Sequence, residues 1–572
     1  MQTFALDTVL RDLILQKKLL SEDILREIEV QAERAHRGAD KMLIDEGHLS
    51  EEQMAMIQAE AHGWEFVDLN RVSFGSLFAS LIPGSVALAQ DVIVFRQDKE
   101  GIFHIATTHP ENAPFLHLLG KRFHGRMKTY LTTTSAINDA LIRYDKDFSE
   151  ECREILATHE QAVQERNAED DSIVVLLNAL LRRAVRHKAS DIHLQPERHE
   201  TVVRERRDGI LHDILMFPND VLALMTLRVK ILAHLATDEH SIPQDGKFTY
   251  EPDGGQKVDV RVSTVPTIHG EKIVLRLLAE QKRALTLPAL GLQLKDQVVI
   301  EEQEKNAWGM ILATGPTGSG KTTTLYALLR RVNSRKVNVA TIEDPVEYEL
   351  PGVSQIQVMS KFDLTFARGL RSIVRQDPDI ILVGEIRDAE TAKITVNAAM
   401  TGHLVFSTMH TNDAATTIPR LLDLGIEPFL IASTLKVAIG QRLVRKICEW
   451  CKQTTAVDIH ELEGRYPEDI VAILHRKHSA EKIAIQLSRG TGCRMCTGTG
   501  FRGRTGIFEV LSMTDTTRAL ILKRADADTI AAAAREESQD SLNVMTTMIE
   551  DGIEKVLQGT TTIEEILRVT RA

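Results

Sequence analysis

No stretch of this 572-residue chain approaches eighteen consecutive apolar residues, so the sequence predicts no membrane-spanning helix. Its start, MQTFALDTVLRD, lacks a basic segment followed by an apolar run and a small-residue cleavage site, and no secretory signal is expected there. Positive charge is not in excess either: 69 Lys and Arg stand against 81 Asp and Glu, a formal net charge of −12. That excludes a global basic field for nucleic acid. No basic-aromatic run offers a track for a single strand, so no direct nucleic-acid contact is expected. Cysteine is scarce, five in all, and four of the five fall into two Cys-x-x-Cys pairs. In a reducing compartment such pairs point to metal before disulfide. The expected place of action is the cytosol, or the inner face of a membrane.

What is present is length enough for three or four domains, with apolar content of 43% and charged content of 26%, ordinary for a globular protein. Residues 1–145 carry a weak internal repeat, LILQKKLLSEDILREIEVQ and MLIDEGHLSEEQMAMIQAE, in which Ser21 and Ser50 are placed to cap helices. The segment DVIVFRQDKEGIFHIATTHP reads as two strands joined at DKEG. This region is expected to be a small α/β docking domain. Residues 146–170 are highly charged and poor in aromatics, a helical or flexible linker. Residues 171–285 begin with an amphipathic helix, followed by β-forming runs separated by turn signals at PDGG and IHG. They predict a second, mixed α/β domain.

From about residue 286 the short apolar runs MILATG, NVATIED, IILVGE and LVFSTMH alternate with helical stretches, the pattern of a doubly wound, mainly parallel sheet. Residues beyond about 440 are expected to be mostly helical, with a cysteine-bearing insert at about 445–500.

The run Gly315-Pro316-Thr317-Gly318-Ser319-Gly320-Lys321-Thr322 satisfies G-x-x-x-x-G-K-[ST] in full. Glycines let backbone N–H groups converge on phosphates without Cβ clashes. Lys321 places a cation at the β/γ oxygens, and Thr322 offers a hydroxyl to Mg²⁺. The helix that starts there, with Thr323 in its first turn, points its positive end at the anion. A predicted strand precedes the loop and a predicted helix follows it, as the motif requires.

A phosphate cradle does not hydrolyse by itself; carboxylates must hold Mg²⁺ and orient water. Two predicted strands deliver them. VATIEDPVEYE ends in Glu343-Asp344, and PDIILVGEIRD presents Glu385, with Gly384 where the usual metal-holding Asp stands. Both lie at carboxyl ends of strands, where doubly wound sheets bind ligands. A third strand is bracketed by His403 and His410; either is placed to sense the γ-phosphate or to steady a strand end. Cys448-x-x-Cys451 and Cys493-x-x-Cys496, with 41 residues between them, supply four thiolates with no open position. That is a structural Zn²⁺ site.

Taken together, these motifs resemble the secretion ATPases of type II secretion systems and type IV pilus assembly. The resemblance is carried by GPTGSGKTTTLYALL, IEDPVEYE, RQDPDIILVGEIRDAETA, TGHLVFSTMHTNDA, ASDIHLQP, RVSTVPTIHGEKIVLRLL, QRLVRKICEWCK and CRMCTGTGFRGRTGIFEVL, in family order over about residues 170–515. It implies a RecA-like P-loop NTPase domain, preceded by a PAS-like mixed α/β domain, within a multidomain α/β chain that ends in a zinc-clip helical part. It also implies a homohexamer that binds ATP between the upstream domain of one subunit and the P-loop domain of another. Arg261 and Arg276 match the family's upstream arginines, and Arg371 and Arg375 match arginines of the P-loop domain. The implied partners are an inner-membrane platform protein and associated cytoplasmic assembly proteins, and the implied output is pilin or pseudopilin polymerisation or type II protein secretion. The tetracysteine insert and the long N-terminal region set the chain apart from pilus-retraction motors and favour assembly or export. Competing readings are a DNA-uptake motor and a nucleotide-dependent scaffold. Gln195 and Arg368 depart from the family pattern. Asp12 and Asp40 replace the glycines of the repeated elements with which some members bind cyclic di-GMP, and cyclic di-GMP binding is not expected.

Overall fold

The computed structural model describes residues 6–17, 19–35, 38–45, 48–69, 72, 81–82, 86–87, 90–98, 100–142, 148–165, 171–251, 257–279, 286–477, 484–493, 495–536 and 544–571. The PDGG turn, the ends of the 146–170 segment and the connection at 280–285 lie outside these residues. The chain forms two compact units, Met1–Arg283 and Ala284–Ala572.

In the first unit, short amphipathic helices gather around Leu10, Ile14, Leu25, Ile28, Leu43 and Ile57. Ser50 begins the helix Glu51–His62 with a reciprocal capping box to Gln53, which satisfies donors the helix itself leaves unpaired. Ser21 caps more loosely, accepting from the N–H of Ile24 at 3.5 Å. A three-stranded sheet follows, β1 (Val92–Gln97), β2 (Phe103–Thr107) and β3 (Met127–Leu131), with β1 antiparallel and β3 parallel to β2. The turn between β1 and β2 is held by Asp98 Oδ1, which accepts from the N–H of Glu100 and of Ile102. The charged 146–170 segment is helical over Phe148–Glu165, and Phe148 and Cys152 bury into the core of the next subdomain. Burial lifts the Cys152 thiol to about 12, so it packs as an apolar group.

That subdomain is a six-stranded antiparallel sheet: β4 (Asp191–Pro196), β5 (Glu200–Arg207), β6 (Ile210–Pro218), β7 (Gln244–Tyr250), β8 (Val258–Thr267) and β9 (Gly270–Ala279), in the order β6-β5-β4-β9-β8-β7. Helices Ser172–Arg186 and Asn219–Leu232 share its core. Along β8 the two-residue period is clean: Val258, Val260 and Val262 are buried, whereas Asp259, Arg261 and Ser263 are not.

The second unit is built on a seven-stranded sheet ordered β12-β11-β13-β14-β10-β15-β18. Its strands are β10 (Gly309–Thr314), β11 (Val339–Glu343), β12 (Val353–Gln357), β13 (Ile380–Val383), β14 (Leu404–Met409), β15 (Leu435–Ile447) and β18 (Phe501–Ser512). All pairings are parallel except β15 with β18. Every residue of β10, β11, β13 and β14 is buried, as a parallel sheet covered on both faces demands. Successive β10 residues serve opposite faces, Met310 and Leu312 in one core and Ile311 and Ala313 in the other.

Beyond residue 440 the chain departs from the helical expectation. β15 and β18 extend the sheet, and β16 (Lys452–Asp458) pairs antiparallel with β17 (Ala484–Gly490). QRLVRKI alternates too weakly to read as a strand. It is one because β18, some 60 residues on, gives its backbone a partner. Helices return at Asp515–Leu522, Ala527–Glu536, Met548–Leu557 and Ile563–Thr570.

Candidate functional site

Strand β10 runs straight into the glycine loop. Gly315, Gly318 and Gly320 have φ of 147°, 78° and 90°, a region L side chains avoid. At Gly315 there is also no room: a Cβ would lie 2.5 Å from the Gln441 carbonyl oxygen and 2.6 Å from Ser319 Oγ. The helix Lys321–Val332 starts immediately after, and its N-cap, Gly320, offers no side-chain acceptor to the first turn. Those N–H groups and the positive helix end face the loop, as an anion site requires. Ser319 Oγ is buried without a hydrogen-bond partner. Pro316, Thr317, Gly318 and Thr322 are exposed, and Thr323 is half-buried. Lys321 is buried and donates to the carbonyls of Gly315 (2.8 Å) and Pro316 (3.0 Å). Burial depresses its ammonium to about 8, against the opposing pull of Glu385. A buried cation, an orphan hydroxyl and an uncapped helix N-terminus together fit a polyphosphate.

β13 delivers Glu385. Gly384 accepts from Thr408 Oγ1 and donates to the Ile342 carbonyl; a Cβ there would sit 3.2 Å from that oxygen. The Glu385 carboxylate lies between Arg387 Nη2 (2.5 Å) and His410 Nε2 (3.1 Å). The hydrogen bond to Glu385 is the main cause holding the Arg387 guanidinium above its ordinary value. Glu343, at the end of β11, is 2% exposed and fully engaged. Tyr326, from the helix after the glycine loop, donates to Oε2. Thr341 Oγ1 and Gln355 Nε2 donate to Oε1 at 2.5 and 3.2 Å. Burial and this bond push the Tyr326 phenol well above its usual range.

The remaining sequence-derived residues fall elsewhere. His403 sits at the start of β14, the end away from the glycine loop, with Nδ1 2.8 Å from the Ala398 carbonyl. Arg371 pairs with Glu390, and Arg375 donates to Ser372 Oγ at 3.3 Å; neither meets Lys321 or Glu385. In the first unit, Arg261 and Arg276 are direct cross-strand neighbours. They belong to a row that crosses the sheet as Arg206, Asp191, Arg276, Arg261, Lys247. Asp191 contacts Arg276 Nε at 3.0 Å and Arg206 Nε at 3.4 Å. Asp191 pairs with two of the four cations in this row, and like charges set side by side across strands are unfavourable by themselves.

Sequence reasoning missed Arg387, Tyr326 and Gln441. Arg387 lies two residues after Glu385 and was open to notice. Gln441 accepts from Thr324 Oγ1 at 2.7 Å across 117 residues, a pairing no local pattern carries.

The cysteines converge. All four Sγ atoms lie within 4.8 Å of one another, with Cys448–Cys493 at 3.8 Å, Cys451–Cys496 at 3.9 Å and Cys493–Cys496 at 3.7 Å. Tetrahedral Zn–S bonds of about 2.3 Å place sulfurs roughly 3.8 Å apart. Backbone N–H groups of Gly492, Cys493 and Gly500 donate to sulfur at 3.1–3.3 Å, as expected around thiolates. The residues fit a structural zinc ion.

The family model described as "Type II/IV secretion system protein" matches residues 166–568. The type II secretion system protein E of Pseudomonas aeruginosa is 46% identical over 404 residues, covering 70% of this chain and 76% of that protein. The type IV pilus assembly ATPase PilB of Myxococcus xanthus is 33% identical over 574 residues, covering 98% of each. Among solved structures, the Legionella pneumophila ATPase DotB is similar at a TM-score of 0.50 and 22% identity, over 70% of this chain and 96% of that one; this likeness speaks to the fold.

Proposed function

The chain belongs to the type II/IV secretion system protein family, and from that premise we propose that it works as a homohexameric ATP-driven motor for pilus assembly. It is a secretion-motor ATPase with a RecA-like nucleotide domain. Our reading is that it acts at the inner face of the cell membrane, driving pilin or pseudopilin polymerisation through an inner-membrane platform protein. Among the described residues no helix is long and apolar enough to cross a membrane. The observation that carries the pilus reading is similarity to the Myxococcus xanthus pilus ATPase over 98% of both chains. The second reading, a type II secretion motor, is favoured by the higher identity over residues of the common core. Deleting the gene and scoring surface fibres against exported enzymes decides between them. Loss of fibres with export intact supports pilus assembly, and the converse supports type II secretion.

The proposed chemistry follows from the groups in place. The N–H groups of the Gly315–Thr323 run, Pro316 having none, and the Lys321 ammonium hold the β- and γ-phosphates, and the Thr322 hydroxyl would hold magnesium. Magnesium, when bound, neutralises charge on the phosphoryl oxygens. Glu385 is the carboxylate we assign to orient the attacking water and accept its proton, with His410 and Arg387 fixing its two oxygens. Glu343, with both oxygens already accepting from protein donors, acts as a positioning residue that ties β11 to the glycine-loop helix. Arg261 and Arg276 present their cationic row to the triphosphate of a neighbouring subunit. Cys448, Cys451, Cys493 and Cys496 would hold zinc, which would clip the ends of the insert. Direct nucleic-acid contact and cyclic di-GMP binding are not part of this reading.

A further inference from the structure

Outside both sites, a cluster on the cysteine-bearing insert presents a metal-ligand set that neither nucleotide hydrolysis nor the tetracysteine clip uses. The 3-10 helix Ile459–Leu462 and the helix Glu468–Lys477 lie between β16 and β17. His460 on the turn, Glu463 at its C-cap and His475 on the helix bring one ligand atom each to within 4.8 Å of the other two. His460 Nδ1 is 2.9 Å and His475 Nε2 is 3.6 Å from the same oxygen, Glu463 Oε1. Metal–nitrogen and metal–oxygen bonds of about 2.0–2.1 Å in a tetrahedron set ligand atoms roughly 3.3 Å apart, and the two observed separations bracket that value.

The backbones that carry these side chains are fixed from beneath. Ile459 and Leu462 are buried on the 3-10 turn, and Ile470, Val471 and Leu474 on the helix, all in one core. Asp458 Oδ1 caps the turn by accepting from the His460 N–H at 2.9 Å. The cations that follow His475 are drawn away, Arg476 to Glu550 and Lys477 to Glu554, and Arg465, two residues after Glu463, lies over the Tyr466 ring. The side chains of His460, Glu463 and His475 are about half exposed, so positions remain for water.

An ordinary ion pair explains His460 with Glu463. It does not explain a second imidazole from another element aimed at the same oxygen, with the rings only 5.7 Å apart. Two protonated imidazoles at that spacing repel, whereas one dication satisfies both nitrogens and the carboxylate. We propose that His460, Glu463 and His475 form a second, exchangeable site for a borderline divalent ion such as Zn²⁺, with water completing the shell. Occupancy staples the 3-10 turn to the end of the neighbouring helix and stiffens the outer face of the insert. The site is independent of the motor reading.

The test uses the full-length chain with its tetracysteine site zinc-loaded, titrated with Co²⁺ and followed by visible absorption. The expected result is weak d–d bands of a nitrogen/oxygen site that saturate at one equivalent, without an intense thiolate-to-cobalt band. In a His460→Gln/His475→Gln double variant the affinity falls at least about tenfold, while tightly bound zinc stays at one per chain and reports an intact insert. Added Zn²⁺ raises the thermal transition of the parent and not of the variant. Absence of the d–d bands, a spectrum dominated by the thiolate band, or unchanged Co²⁺ binding by the double variant overturns the proposal.

Discussion

Tyr326, on the helix that follows the glycine loop, donates its hydroxyl to Oε2 of Glu343 at the end of β11. The bond joins the phosphate-binding helix to a carboxylate that its place at the end of a predicted strand assigned to the catalytic centre. Removing the hydroxyl leaves a buried carboxylate oxygen short of a donor, at a cost of about 1–3 kcal/mol. Tyr326→Phe is therefore expected to lower the thermal transition and to reduce turnover, with ATP binding nearly unchanged. A variant as stable and as active as the parent would show the bond to be without consequence.

Glu385 and Glu343 are expected to behave differently when neutralised. Glu385→Gln keeps the shape and nucleotide binding but loses the proton acceptor, so kcat falls about 10²–10⁴-fold. Glu343→Gln offers its neighbours an amide in place of two acceptor oxygens, and its main effect is a loss of stability. Phosphate release alongside a thermal scan separates the two. Equal kcat losses at unchanged stability would return Glu343 to the reacting centre.

The pH dependence of nucleotide binding follows from Lys321. Burial holds its ammonium at about 8 in the free protein, and bound phosphate favours the charged form. At pH 8.5 the free lysine is mostly neutral and the bound one charged, so binding takes up a proton; near pH 7 both are charged and uptake vanishes. Affinity accordingly weakens as pH rises through about 8. Calorimetry in buffers of different ionisation enthalpy reads the proton directly, and a Lys321→Met control removes it. No uptake at pH 8.5 would contradict the assignment.

If Arg261 and Arg276 serve a neighbouring subunit, Arg276→Ala and Lys321→Ala homohexamers are each inactive, with the arginine loss expected to cost about 10³–10⁵ in kcat. Mixing the two chains regenerates some interfaces that hold both an intact loop and an intact arginine. Partial recovery on mixing is the expected outcome. Recovery absent from rings proven to be mixed would place the arginines on their own subunit's nucleotide.

Zinc is expected at one tightly held ion per chain. Cys496→Ser leaves three thiolates and a serine hydroxyl, and metal content measured by mass spectrometry should fall accordingly, with an earlier thermal transition. Full zinc retention would remove Cys496 from the ligand set.

The sequence alone determined whatever depends on neighbours a few residues apart. The glycines of residues 315–320 left the loop backbone free to converge without Cβ clashes, the apolar runs at 310–314 and 380–383 pointed to strands buried on both faces, and each Cys-x-x-Cys pair made a knuckle. Tertiary structure decided everything that needs a distant partner. It gave the Glu343 oxygens to Tyr326, Thr341 and Gln355, placed His403 at the far end of β14 from the loop, and turned QRLVRKI into a strand by pairing it with β18. It also set Arg261 and Arg276 side by side in a row with a single carboxylate. The division is physical. Backbone conformation answers to local sterics and periodicity, whereas the role of a polar side chain depends on which groups, hundreds of residues away in some cases, the fold brings within hydrogen-bonding distance.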